Sequence, residues 1–311
     1  MNPRVSVVIP TYNRKAVLLE SIASVRQQSF GDLEILVCDD GSSDGSREAV
    51  HEVAAADRRV RWIAGEHCGA PGRVRNRGIR AAAGEWIAFQ DSDDLWLPQK
   101  LEKQMAVLHD APDAQFIYAH AAAVMPDGSR LRMTPFRIPR QGRIFETLLM
   151  YSVVHPQTML VKRSLLDQVG HFNEDMGLRI VEDYELVLRL AAAAPFHFVA
   201  EDLVLYRTQA DSISADLFGS IDEYEQVLKS IIARFNVPDG IASEALCRIE
   251  LRRYKNHLLR GFPRDVRLQD LRTALAKRPA SPLARALRLT ETLGCAGGLK
   301  WLLTVQARNS A

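Results

Sequence analysis

Cysteine is scarce in this chain and carries no pattern. Its four cysteines, Cys38, Cys68, Cys247 and Cys295, show neither a metal-ligand spacing nor a disulfide framework, which suits a reducing cytoplasm. Long hydrophobic runs are missing too, and no stretch is long enough to span a bilayer. The opening residues lead straight into an apolar strand, so no signal peptide is expected. There is no internal repeat and no low-complexity tract. No Gly-x-Gly-x-x-Gly follows the first apolar run, which argues against a dinucleotide-binding dehydrogenase. Basic stretches lack aromatic interleaving and form no recognisable nucleic-acid module, so no nucleic acid partner is expected. Net charge is only +2, but it is uneven. Residues 248–311 hold 14 Lys/Arg against 4 Asp/Glu, while the rest of the chain is acidic. Such asymmetry points to an anionic partner for the tail or to a solvated basic face on ordinary helices.

What is present is an alternation of strand and helix signals. Val5–Ile9 reads as a strand, followed by the turn Pro10-Thr11-Tyr12-Asn13-Arg14 and a helical stripe over 15–28. Leu33–Cys38 is a second strand, ending in Asp39-Asp40-Gly41, with Ser43 or Asp44 as N-cap of a helix running to about Ala56. Arg59–Ala64 is a third strand. A Gly-rich turn from Gly65 to Gly72 leads into a helix over 73–83. Further units follow: a helix near 98–110, a strand near 115–119, and a long Pro/Gly/Arg-rich connection over 126–143. A strand at 158–162 precedes a short helix capped by Ser164 and stopped at Gly170. A helix at 182–193 and two strand-like pieces at 196–199 and 203–206 complete this part. The pattern predicts an α/β fold with a mainly parallel, Rossmann-like sheet and right-handed crossovers. Beyond about residue 215 the pattern is helical only: 220–235, 241–260, 265–277, 282–293 and 298–306. The expected domains are 1–214, with halves near 1–110 and 111–214, and a helical region over 215–311.

The stretch from Gly84 to Trp96 organises the first domain. Ala81-Ala82-Ala83-Gly84 is a helix-stop signal, with Gly84 suited to a left-handed position. Trp86–Phe89 reads as a buried strand running out into Asp91-Ser92-Asp93-Asp94. Three carboxylates within four residues repel one another and are costly to desolvate unless a cation sits among them. In open α/β sheets, ligands bind beyond the carboxyl ends of the strands. A hard divalent ion held by one or two carboxylates and substrate phosphates suits this place, as does an acidic helix-capping turn.

Four pieces in this order resemble the inverting, nucleotide-sugar-dependent glycosyltransferases of family 2, with their A-type fold. They are Val7–Arg14, Val37–Asp44, Arg75-Asn76-Arg77-Gly78-Ile79 with the Asp91–Asp94 cluster, and Glu182-Asp183-Tyr184-Glu185-Leu186. The resemblance covers about residues 4–214. It implies a nucleoside-diphosphate sugar donor, with a UDP-sugar favoured, and a glycan or lipid-linked acceptor of the kind used in polysaccharide and cell-envelope synthesis. It also implies Mn2+ or Mg2+. Pro10, Thr11 and Tyr12 then match base and ribose contacts, with Arg14 near the phosphates. Asp39 or Asp40 takes a base N–H or a ribose hydroxyl. Arg75 and Asn76 match an Ala-Arg-Asn element, with Val74 in the alanine place. Asp91 and Ser92 fall on the nucleotide side of the Asp-x-Asp element. Asp93 is its metal-side residue, and Asp94 competes for that role. Asp183 matches the general base, with Glu182 and Asp175 as rivals. The helix N-terminus is expected to keep its carboxyl ionised. His155 is read as structural, with an acceptor-side role as the alternative.

One departure stands out. Many members read Tyr-Arg-x-His where this chain has Tyr206-Arg207-Thr208-Gln209. Gln209 thus replaces a histidine that helps hold the metal or diphosphate, and a neutral amide is a weaker ligand. Two other functions remain open: a non-catalytic nucleotide-binding scaffold or partner subunit, and a nucleotidyltransferase. The latter lacks its expected Gly-rich, Lys-bearing loop after the first strand. The tail combines apolar stripes (Val266, Leu268, Leu271, Leu275; Leu283, Leu287, Leu293) with arginines and Trp301. Either the stripes pack on protein, or the tail attaches a cytoplasmic chain to an anionic inner leaflet.

Overall fold

The computed structural model describes residues 2–124, 129–132, 138, 140–207 and 217–292. The chain divides into two compact units. One comprises Met1–Leu148 with Ser152–Gln209, and the other Leu149–Tyr151 with Ala210–Ala311. The expected boundary near 214 lies outside the described residues, as do Gln209, Trp301 and the helix expected over 298–306.

The first unit opens with β1 (Val5–Thr11), α1 (Lys15–Arg26), β2 (Leu33–Asp39), α2 (Ser46–Ala56), β3 (Val60–Ile63), α3 (Pro71–Ala81) and β4 (Trp86–Phe89). β1 pairs in parallel with β2 and β4, and β2 with β3. These strands are apolar on both faces because both are covered. Val7, Ile9, Ile35 and Val37 share a core with Leu18, Ile22 and Val25 of α1. The alternate side chains point the other way, toward α3. There a Cβ on Gly78 would lie 2.4 Å from Val8 Cγ1 and 2.7 Å from Cys38 Sγ. Glycine is what lets α3 approach the sheet, as the close packing of interiors demands.

Beyond β4 the sheet becomes mixed. The elements are β5 (Leu95–Trp96), α4 (Lys100–Asp110), β6 (Phe116–Val124), β7 (Arg130–Arg132), α5 (Phe145–Met150), a 3-10 turn (Pro156–Thr158), β8 (Met159–Lys162), α6 (Arg163–Val169), α7 (Glu182–Ala193) and β9 (His197–Arg207). Among the described residues the strand order is β3-β2-β1-β4-β8-β6-β9-β5, with β7 on β6. β8 runs antiparallel to both β4 and β6, whereas β6 and β9 are parallel.

Several local expectations change. The pieces at 196–199 and 203–206 form one strand, whose register against β6 shifts around His120. An irregular strand shows a broken alternation, which reads as two strands in sequence. Gly84 is absent from the left-handed residues. Its backbone instead presses on β1: a Cβ would meet the Ser6 nitrogen at 2.6 Å, and its N–H donates to Ser6 Oγ at 2.8 Å. The N-cap of α2 is Gly45, with φ +81°. Asp44 does the capping one residue earlier, accepting the Ser46 N–H at 3.0 Å. Ser164 lies inside α6, whose N-cap is Lys162.

The second unit contains α8 (Leu217–Arg234), α9 (Asp239–Leu259), α10 (Arg264–Lys277) and α11 (Pro282–Thr292). Its apolar clusters are small. Tyr254, Leu258 and Leu271 form one, and Cys247, Ala274 and Ala284 another. Among the described residues no helix is long and apolar enough to cross a membrane.

Candidate active site

Parallel pairing brings the carboxyl ends of β1, β2 and β4 to one edge of the sheet. Thr11 lies opposite Asp39, and Val8 opposite Phe89. Residues 11–14, 39–45 and 90–94 therefore crowd one end of the fold, where an α/β sheet binds its ligand. Asn13 turns left-handed at φ +48°. Just beyond it, the Arg14 guanidinium pairs with Asp93.

At the β1/β2 end, Tyr12 stacks on His67, with ring centroids 4.2 Å apart. Tyr12 remains 42% exposed and so offers an aromatic face to solvent. Pro10 is half-buried, and the Thr11 hydroxyl is buried without a protein partner. Asp39 accepts the Gly41 and Ser42 N–H groups at about 3.0 Å, which shapes the turn. Asp40 accepts from Cys68 N–H at 3.0 Å, Gly69 N–H at 2.9 Å and Arg77 Nη2 at 2.9 Å. Burial alone would raise the Asp40 carboxyl. The Cys68 and Gly69 hydrogen bonds and the His67 charge outweigh it and hold the group below its ordinary value.

Arg75, Asn76 and Arg77 are consecutive on α3, so their side chains diverge by about 100° each. One turn of helix thereby ties three segments. Arg77 Nη1 donates to the Asp39 carbonyl at 2.8 Å. Asn76 clamps the Phe172 backbone, donating to its carbonyl at 2.9 Å and accepting its N–H at 3.0 Å. It also donates to Glu174 at 2.7 Å. Asn76 thus holds the loop before α7 rather than facing the β1/β2 end. Arg75 is buried, with Nη2 2.7 Å from Asp91 and Nη1 2.6 Å from Glu182.

The acidic strand end is divided. Asp94 is fully buried, accepting Gln157 Nε2 at 2.8 Å and the Arg207 N–H at 3.0 Å. Asp91 and Asp93 are partly open, and Ser92 is buried. Burial and the Asp91 charge push the Asp93 carboxyl up against the pull of Arg14, and the same two causes push Asp94 up further. Among the described residues no three His, Cys, Asp or Glu side chains converge as a metal cage. Asp91 and Asp93 nevertheless fit a divalent ion that shares its shell with phosphates, because a cation there would relieve their repulsion.

Glu182 and Asp183 open α7. Glu182 is buried on Arg75, and its second oxygen has no protein partner. Asp183 is half-buried and accepts the Tyr184 N–H at 2.7 Å. Its carboxyl is pushed up to about 7, first by burial and then by the Glu182 charge, against the pull of Arg75 and the Tyr184 N–H. This corrects the expectation of a low value, since burial and a like charge outweigh the helix terminus. The rival Asp175 is exposed. The His155 carbonyl accepts from Thr158, and burial lowers the ring's proton affinity against the pull of Asp91.

Four contributors escaped sequence reading. His67 and Cys68 lie in the Gly-rich turn, whose only visible signal was its glycines. Gln157 and the Arg207 backbone support Asp94 from 63 and 113 residues away, a separation that leaves no local signature.

Known proteins resemble this chain in sequence and fold. Over 104 residues the chain is 39% identical to the Escherichia coli UDP-Glc:alpha-D-GlcNAc-diphosphoundecaprenol beta-1,3-glucosyltransferase WfgD, covering 33% of this chain and 40% of that one. The structure of Staphylococcus aureus TarS with UDP-GlcNAc superposes with a TM-score of 0.67 at 17% identity, covering 99% of this chain and 92% of that one. The Pyrobaculum calidifontis mannosyltransferase bound to GDP-Man and Mn2+ gives 0.57 at 19% identity, covering 97% and 88%. These likenesses show the glycosyltransferase A-type fold. The chain spans about half the length of several curated relatives it matches. Residues 6–170, just over half of the chain, match the family described as glycosyl transferase family 2, and the chain belongs to that family.

Proposed function

We propose that this chain is an inverting glycosyltransferase that moves a hexose or N-acetylhexosamine from a nucleoside-diphosphate sugar, UDP-linked by preference, to a glycan or lipid-linked acceptor. The observation that carries the reading is that one buried arginine, Arg75, ties Asp91 of the acidic β4 end, where Arg14 pairs with Asp93, to Glu182 beside Asp183 at the start of α7, while Tyr12 beyond β1 keeps an exposed aromatic face.

In this reading Tyr12 stacks on the base, while Pro10, Thr11, Asp39 and Asp40 line the base and ribose end. Arg14 turns from Asp93 to the diphosphate. Asp93 is the metal-side carboxylate, and Asp91 and Ser92 shape the loop beside it. Asp94 fixes that loop from beneath; it is the alternative ligand, together with Gln209. A bound Mn2+ or Mg2+ would neutralise charge on the departing diphosphate as a Lewis acid. Asp183 takes the proton from the acceptor hydroxyl. The acceptor oxygen then attacks the anomeric carbon from the face opposite the leaving group, forming the new C–O bond as the bond to phosphate breaks. The UDP-GlcNAc-bound neighbour and the lipid-diphosphate-using relative support this substrate class.

For the tail we propose peripheral attachment to an anionic membrane surface at the cytoplasmic face. Support comes from the basic excess after residue 248 and from Leu283 and Leu289, exposed on α11 beside Arg285 and Arg288.

A panel of nucleotide sugars screened for donor hydrolysis, with and without Mn2+, tests the central reading. Turnover of one donor class, stimulated by metal, is expected. Nucleotide binding without any turnover would favour a scaffold role instead.

A further inference from the structure

The site holds two adjacent carboxylates, Glu182 and Asp183, at the start of one helix, and family resemblance alone separated their roles. The structure offers a physical separation. The Arg75 guanidinium is buried and reaches Glu182 at 2.6 Å and Asp91 at 2.7 Å. The Phe172 ring covers it, with the centroid 5.5 Å from Cζ. Phe172 is itself fixed by Asn76, one residue along α3. Arg75 cannot move without breaking its contacts to the loop after β4, to Phe172 and to α7 together. Glu182 is thereby turned toward α3 and is 5% exposed, whereas Asp183 remains half-open. Neighbours on a helix point about 100° apart, so committing one side chain to α3 aims the other elsewhere.

We propose that Arg75 is a positioning residue: by holding Glu182 and Asp91 on one buried guanidinium it removes Glu182 from the acceptor side and leaves Asp183 as the carboxylate of the pair open to an acceptor hydroxyl. The proposal rests on the glycosyltransferase reading for its meaning, but its geometry does not. The charges facing Asp183 are Glu182 on its own helix, Arg75 from α3 and Asp91 from the loop after β4. Toward α6, Glu185 and Arg189 neutralise each other at 2.7 Å. Arg189 also donates to the Val169, Gly170 and His171 carbonyls. Glu182 and Arg75 therefore act on Asp183 with opposite sign.

The test is a carboxyl-carbon NMR titration of the full chain, with the Asp183 resonance assigned by its loss in Asp183→Asn. It needs no donor, so it reads the arrangement even if the functional reading fails. In Glu182→Gln the Asp183 midpoint should fall by about one pH unit, the usual scale for a nearby like charge. In Arg75→Gln it should rise by a similar amount, and the double variant should return near wild type. Where a donor has been found, the acidic limb of kcat/KM should follow the same three shifts. Midpoints that stay in place in Glu182→Gln would overturn the proposal. Should Arg75→Gln fail to fold, the Glu182→Gln arm decides alone. Loss of transfer in Glu182→Gln with Asp183→Asn still active would overturn it as well.

Discussion

Buried charge at the Asp91–Asp94 and Glu182-Asp183 cluster is handled in the opposite way from buried charge in the helical unit, whereas Asp40 at the same sheet edge and the Glu185–Arg189 pair are compensated. At the sheet edge, Asp93, Asp94, Glu182 and Asp183 all have carboxyls pushed above their ordinary values, because burial and neighbouring carboxylates outweigh the arginines. In the helical unit, acids are matched to cations. Glu250 receives Arg253 at 2.8 Å and Lys277 at 2.6 Å. Glu225 is bonded by Lys229, Arg253 and Lys277. Burial would raise Glu225, yet those three partners hold it down at about 2. Glu291, on Arg267 and Tyr254, is likewise held low. Asp270, paired with His257 but raised by burial, is the exception. The difference teaches where charge serves structure and where it awaits a ligand. A scaffold compensates its ions, and a site keeps them unfavourable until substrate arrives.

The largest break in this contrast should come from Asp183→Asn. It should lower sugar transfer by roughly 10²–10⁴-fold while sparing nucleotide binding, the usual range for loss of a general base. It should also stabilise the fold. An acid that titrates at about 7 folded and near 3.8 unfolded costs stability as pH rises between those values, and the cost is complete above about 7. Melting temperatures of variant and wild type should therefore coincide near pH 4 and separate by pH 8, with the variant higher. Equal curves at pH 8 would remove the electrostatic argument.

Glu250→Gln should act in the reverse sense. Removing one member of a compensated buried network costs about 1–3 kcal/mol, reduced from the fully buried case because Arg253 and Lys277 are partly solvated. Urea unfolding of the helical unit would show the loss. Glu225 adds a pH signature: its stabilisation is present at neutral pH and is lost as pH falls from about 4.5 through about 2.

The basic tail sharpens the contrast by offering cations to an outside partner. Arg285 and Arg288 border a cavity of about 460 Å³ with Leu275, Pro279 and Leu289. Replacing both arginines with glutamine should weaken binding to anionic liposomes about 30-fold, since each basic residue contributes roughly 1 kcal/mol near the surface. No sedimentation of the wild-type chain at low salt would end the membrane proposal.

The smallest effect is expected at Asp93. Mn2+ should tighten nucleoside diphosphate binding by about tenfold, or 1.4 kcal/mol, and Asp93→Asn should abolish that gain. Calorimetry with and without EDTA would show it, and equal affinities in wild type would remove the metal from the site.

The sequence by itself determined the βα alternation, the strands near 5–9, 33–38 and 86–89, α7 to the residue, and the strand-end address of the candidate site. Each is a local matter of apolar period, turn chemistry and composition, which a chain carries within a dozen residues. The tertiary structure alone decided what lies far apart in sequence: β8 running antiparallel between β4 and β6, and the support of Asp94 by Gln157 and Arg207. It also decided that Gly84 is needed for its approach to β1 rather than for its φ. Most of all it decided the surroundings of Glu182 and Asp183. Adjacent acids at a helix start are equivalent in sequence. They differ only once a buried arginine, 107 residues earlier, takes one and leaves the other half-open with its proton held by burial.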